Sequence, residues 1–160
     1  MSEGGSPPRG RELRLTEILR AEHVVVPLPA DTVQAAVSAL AQRLIDGGAV
    51  EHPERLARLL AESRIRDLVH VGGRVLLPHV RTDAVSKLVV ALGVAHTPLE
   101  VPGVDDAEAR IFVLVLAPPS ATGLYLQTVA SLARVLRDDA VVDQVVASRT
   151  PEEVLAIPQM

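Results

Sequence analysis

The sequence predicts an α/β domain built on a mixed parallel and antiparallel sheet with helices on both faces. Three observations predict it. Segments with apolar residues at helical spacing alternate with short β-branched runs along the chain. Two of those runs, Lys87 to Val94 (KLVVALGV) and Arg110 to Ala117 (RIFVLVLA), are too apolar to leave one face wet, so helices must cover the sheet on both sides. Ahead of them, Asp67 to Arg81 (DLVHVGGRVLLPHVR) reads as two strands folded over Gly72-Gly73, which makes at least one strand pair antiparallel.

The elements follow in order. Met1 to Gly10 are rich in Gly, Pro and Ser, too polar to offset the entropy of ordering, so residues 1–12 are expected to be a flexible tail and residues 13–160 the domain. Leu13, Leu15, Ile18 and Leu19 recur at helical spacing and predict a short first helix with Thr16 as its cap. The run His23-Val24-Val25-Val26 predicts the first strand. Asp31 is expected to cap a helix carrying Val33, Ala36, Val37, Leu40 and Leu44 on one face and stopped by Gly47-Gly48. Pro53 suits a first helical turn, and Leu56, Leu59 and Leu60 predict an amphipathic helix that gives way near Ser63. Between the two apolar strands, His96 to Glu108 reads as a loop, with Pro98, Pro102 and Gly103. Pro118-Pro119 ends the second strand, and Ser120 or Thr122 is expected to cap a helix bearing Leu124, Val129, Leu132 and Leu136. Helical segments near Asp139 to Ser148 and Thr150 to Ile157 close the chain, the last introduced by the capping-box pattern Thr-Pro-Glu-Glu.

Composition narrows the function classes. With one Tyr, one Phe and no Trp in 160 residues, aromatic platforms for stacking bases are nearly missing, which argues against single-stranded nucleic acid. A net charge of −4 argues against duplex binding, because phosphate backbones are held by clustered Lys and Arg. The chain has no cysteine, which excludes disulfides, thiolate nucleophiles and thiolate metal sites. Nothing approaches the ~18 apolar residues of a membrane span, and the N-terminus has no signal-peptide core. A soluble, cytoplasmic protein without membrane insertion is expected.

The hairpin carries the candidate chemistry. Closing it on Gly72 and Gly73 sets a register in which Val71 faces Arg74, His70 faces Val75, and Arg66 comes opposite His79. An imidazole would then lie beside a guanidinium. Pro78 cannot donate to a ladder, so His79 is expected to leave the sheet at its rim. His70 and His79 lack carboxylate co-ligands at useful spacing, so no metal and no cofactor are expected. His23, His52 and His96 read as surface or cap residues, and Asp105, Asp106 and Glu108 as a solvated acidic loop.

Arg74 to Arg81 (RVLLPHVR) resembles the enzyme IIA domains of the fructose/mannitol/nitrogen type in the phosphoenolpyruvate:sugar phosphotransferase system, whose mark is a short apolar strand ending in Pro-His. The resemblance runs from about Leu13 to Ile157, through the Asp31 to Gly48 helix, the strand ending at Ala117, the helix YLQTVASLARVL and the closing TPEEVLAI, all in family order. It implies an enzyme IIA type-2-like fold. It also implies that His79 accepts a phosphoryl group from a histidine phosphocarrier protein and passes it to a IIB domain, or uses it to regulate a target protein. The alternative is a degenerate IIA-like interaction module without phosphotransfer.

An imidazole with its ordinary pKa near about 6.5 has a free nitrogen lone pair at neutral pH, and the loose transition state of phosphoryl transfer asks chiefly for alignment and charge stabilisation. Arg64, Arg66 and Arg81 are the candidate phosphate contacts, with the backbone N–H groups near Ser120 to Thr122. The chain departs from the family pattern in three places. Tyr125 stands where the family has a second active-site histidine, Ser63 where it has an arginine before the hairpin, and Val80 where a glycine follows Pro-His.

Overall fold

The computed structural model describes residues 13–62 and 69–160. Where a helix was expected first, the chain makes two 3-10 turns, Leu15–Glu17 and Ala21–His23, and Thr16 caps neither. The chain must be extended again by Val24, which leaves too short a distance for a stable α-helix. Burial of Leu15 and Leu19 fixes the turns instead. Strand β1 (Val24–Leu28) leads to helix α1 (Val33–Asp46). The cap of α1 is Thr32, not Asp31: the Thr32 Oγ1 accepts from the Ala35 N–H at 3.0 Å. A capping oxygen has to come from the residue just before the first helical one, and Asp31 is one position early. Helix α2 (Pro53–Glu62) follows.

Strands β2 (Val69–Val71), β3 (Val75–Leu77) and β4 (His79–Arg81) come next, then the long β5 (Val89–Glu100) and β6 (Glu108–Ala117). The expected loop from His96 to Glu108 is thus strand at both ends, through Glu100 and again from Glu108, and a turn only over residues 101–107. Leu99 pairs with Ala109 and both are buried, while Pro98 falls where the register shifts between Val94 and Leu99. A bulge is a place where a sheet tolerates proline, and the Arg110 Nε–H donated to the Ala95 carbonyl at 3.0 Å ties it down. After a 3-10 turn at Pro119–Ala121, helices α3 (Thr122–Val135), α4 (Asp139–Ala147) and α5 (Pro151–Leu155) complete the fold. Thr150 caps α5, its Oγ1 accepting from the Glu153 N–H at 3.1 Å. The Glu153 carboxylate reaches back to the Arg149 N–H at 2.8 Å.

The sheet has six strands in the order β1-β5-β6-β3-β2, with β4 also paired to β6. The β1–β5, β3–β6 and β4–β6 pairs are parallel, and β2–β3 and β5–β6 antiparallel. Alternate residues of β6 feed two cores. Ile111, Val113, Val115 and Ala117 pack with α3, α4 and α5, and Phe112, Leu114 and Leu116 with α1 and α2. Helices on both faces are what the doubly apolar strands demanded. No helix among the described residues is long and apolar enough to cross a membrane.

The hairpin register differs from the expected one by a residue. Val71 pairs with Val75, His70 with Leu76 and Val69 with Leu77, so Arg74 belongs to the loop. The slip decides which side chains share a face. In this register Val71 and Val75 meet in the α3-side core, whereas the two-residue turn would put exposed His70 opposite buried Val75. Gly72 and Gly73 take φ of 61° and 94°. Arg74 then reaches α4, pairing with Asp143 at 2.9 Å, and its carbonyl accepts from the Arg110 N–H.

Candidate functional site

His79 does not leave the sheet. Leu76 lies opposite Phe112 and His79 opposite Val115, so one register holds against β6 on either side of Pro78. The ladder survives the proline because it uses that residue's carbonyl: the Val115 N–H donates to Pro78 O at 3.0 Å. Half-buried His79 is therefore held by pairing where the end of β6 gives way to the 3-10 turn before α3.

Strand alternation sorts the neighbours. Val75 and Leu77 face the α3-side core, and His79 and Arg81 continue that face, opposite Val115 and Ala117. Val80 lies on the other face and packs against the α1-side core. Asp106 is the only non-glycine with positive φ among the described residues, so Val80 takes ordinary extended backbone. A bulky side chain where the family has glycine therefore neither strains the chain nor crowds the imidazole.

The ring of His79 is oriented by its own strand. With Pro78 O turned to β6, the carbonyl of Leu77 points to the opposite edge, and the His79 Nδ1–H donates to it at 2.7 Å. A carbonyl can only accept, so the proton of the neutral ring resides on Nδ1. Nε2 keeps its lone pair.

On the first turn of α3, Tyr125 brings its ring centroid to 5.9 Å from that of His79, with the planes tilted by 45°. Its exposure is 9%. Burial pushes the phenol above its usual range, opposed by the charge of Arg81, so at neutral pH it is a hydroxyl donor. The Arg81 Nη1–H donates to Thr122 Oγ1 at 2.9 Å, and the Thr122 hydroxyl donates to the Pro119 carbonyl at 2.9 Å. Neither Ser120 nor Thr122 is the α3 cap: Ala121 holds that position and no side chain closes the helix start. Thr122 is already helical, and its hydroxyl is engaged with Arg81 and Pro119.

The structure thus brings together His79, Arg81 and Tyr125. Arg64 and Arg66, with Ser63 and the expected Arg66 to His79 pairing, lie outside the described residues. His70 is occupied elsewhere, its Nε2 at 2.8 Å from the Gly73 carbonyl. His23, expected at the surface or as a cap, is buried at the end of a 3-10 turn. It lies against the end of α1, where Gly47 leaves room: a Cβ there would come within 3.4 Å of the ring. His52 precedes α2 and His96 is exposed.

Sequence reasoning missed the hydroxyl of Thr122 and misassigned Leu124. Leu124 and Leu126 are 42% and 60% exposed, flanking Tyr125 at the start of α3. The buried residues of α3 are Tyr125, Thr128, Ser131 and Leu132, and Leu124, at nearly the angle of Ser131 but two turns earlier, is left exposed in the first turn of the helix.

Residues 17–159 match the family model described as the phosphoenolpyruvate-dependent sugar phosphotransferase system, EIIA 2. The chain is 26% identical over 145 residues to the fructose-specific EIIA component of Haloferax volcanii, covering 89% of this chain and 94% of that protein. It superposes on the crystal structure of the mannitol IIA from Escherichia coli with a TM-score of 0.70 at 25% identity, covering 86% of this chain and 96% of that one. The same mannitol enzyme IIA in complex with phosphorylated enzyme IIB gives a TM-score of 0.70 at 25% identity, with 86% and 94% covered. With the Pro-His strand, the two-faced sheet and a match over nearly its whole length, the chain belongs to the EIIA type-2 family of the sugar phosphotransferase system.

Proposed function

We propose that this EIIA-type domain is a phosphocarrier that accepts a phosphoryl group on Nε2 of His79 from a histidine phosphocarrier protein and passes it to a IIB domain. The observation that carries the reading is the 2.7 Å bond from Nδ1 to the Leu77 carbonyl, which leaves Nε2 as the nucleophile. The Nε2 lone pair attacks phosphorus and a P–N bond forms. The donor's P–N bond breaks, its electron pair returning to the donor imidazole. The proton on Nδ1 stays where Leu77 holds it and stabilises the charge that His79 acquires.

Charge on the equatorial oxygens is met by Arg81 and by the Tyr125 hydroxyl, in place of the family's second imidazole. Arg64 and Arg66 are assigned as further phosphate contacts. Exposed Leu124 and Leu126 give the site an apolar rim against which a carrier can dock. The complex of the related mannitol IIA with its phosphorylated IIB supports the second partner. Such a carrier works in the cytoplasm. A second reading, a binding module that regulates a target protein without phosphotransfer, is favoured by one observation: Tyr125 cannot become a cation at neutral pH as the imidazole it replaces can.

Incubation with phosphoenolpyruvate, enzyme I and the histidine phosphocarrier separates the two. The carrier reading expects an acid-labile phosphate that His79→Ala abolishes. An unlabelled wild-type protein, with a target bound equally by His79→Ala, would establish the second reading.

A further inference from the structure

The family's second histidine projects from the helix after the apolar strand, whereas in this chain a cation whose charge reaches Tyr125, Arg81, comes from strand β4. Arg81 lies on an exposed strand end, and a free arginine there would sample many rotamers. It is instead pinned. One guanidinium N–H is committed to Thr122 Oγ1 at 2.9 Å, and that hydroxyl is itself fixed by donating to Pro119 O at 2.9 Å. The hydroxyl thus uses its proton in one direction and a lone pair in the other, an arrangement that only Ser or Thr supplies at this position. The planar fork keeps further N–H groups for an anion after one is spent.

Two features place the fork beside the reacting histidine. Arg81 is two residues beyond His79 on one strand, so both side chains leave the same face. Its charge is also felt by the Tyr125 phenol, whose ring lies 5.9 Å from that of His79.

We propose that Thr122 is a positioning residue, whose hydroxyl holds the Arg81 guanidinium beside His79 so that strand β4 supplies the fixed cation that a second imidazole supplies in other members of the family. The proposal rests on the phosphocarrier reading for its purpose but not for its geometry. The Thr122 hydroxyl is engaged with Arg81 and Pro119. Its effect is transmitted through Arg81 alone.

Two readouts test it on the full chain. Tyr125 is the only tyrosine and there is no tryptophan, so ultraviolet absorbance reports the ionisation of this one phenol. Thr122→Val should raise its titration midpoint in the same direction as Arg81→Gln, because in each the guanidinium charge leaves the phenol. Thr122→Ser should restore the wild-type midpoint, and the double variant Thr122→Val/Arg81→Gln should move no further than Arg81→Gln alone. In phosphoryl transfer from the phosphorylated histidine carrier, Thr122→Val should lower the turnover rate about tenfold to a hundredfold with KM for the carrier little changed, and Thr122→Ser should recover it.

A midpoint unmoved by Thr122→Val overturns the positioning role whatever the transfer assay shows. A moved midpoint with undiminished transfer overturns the role of the held guanidinium in the reaction. A wild-type protein that takes up no phosphate defeats the carrier reading and the purpose assigned to Thr122 with it, while the titration still decides whether Thr122 holds the guanidinium.

Discussion

Replacing Val80 with glycine restores the residue that the family places after Pro-His, and the fold says what that restoration does. Val80 is half-buried and packs against the α1-side core, on the sheet face away from His79. Full burial of a valine is worth roughly 1.5–3 kcal/mol, so a half-buried one loses about 1 kcal/mol when truncated. Glycine within a strand adds roughly 0.5–1 kcal/mol of backbone entropy. Val80→Gly should therefore destabilise the domain by about 1.5–2 kcal/mol, lowering the melting temperature by roughly 3–8 °C for a chain of this size. In urea unfolding the midpoint should fall with the slope unchanged, because the surface exposed on unfolding is nearly the same. Phosphoryl uptake by His79 below the melting temperature should stay at the wild-type rate. If the variant instead keeps its stability and gains activity, Val80 obstructs the site, and the assignment of its side chain to the opposite face is wrong.

Thr32→Ala should cost about 1 kcal/mol through loss of the α1 cap, with Asp31→Ala nearly neutral in the same unfolding assay; the reverse order would return the cap to Asp31. His23 gives the stability a pH dependence. Burial holds its pKa below the usual imidazole value, with Arg20 and Arg43 acting in the same direction and Glu22 against them. The unfolded chain therefore binds more protons than the folded one near pH 6, so this contribution is fully present above about pH 6.5 and is lost as pH falls through the lowered folded value. His23→Gln should flatten unfolding free energy against pH in that window, and curves parallel to wild type would rule His23 out as the source.

How much of this was legible in the sequence depended on whether the signal was local. The α1 and α2 helices, the two doubly buried strands and the hairpin all announce themselves by periodicity and by glycine and proline. The features that failed are set by partners distant in sequence. The hairpin register turns on whether Arg74 counts as strand or loop, and the meeting of Val71 with Val75 in the α3-side core decides that. The persistence of β4 past Pro78 depends on β6, and the strand character of Leu99 on Ala109. At the site, Pro-His singled out His79, but its tautomer follows from Leu77 O and the pinning of Arg81 from Thr122, a residue forty-one positions away. Val80 shows the same limit. A sequence comparison registers it as a bulky residue next to His79, and only strand alternation shows that the two face opposite ways.

The central claim is that Nε2 of His79 is the atom that carries the phosphoryl group, because Leu77 holds the proton on Nδ1. Nitrogen and phosphorus NMR of the labelled protein, before and after phosphorylation by the histidine carrier, tests it most directly. The account predicts a neutral His79 ring protonated at Nδ1 in the free protein and a phosphorus coupled to Nε2 of the same ring afterwards. A proton on Nε2 in the free protein, or a phosphoryl group on Nδ1 or on another residue, would contradict it.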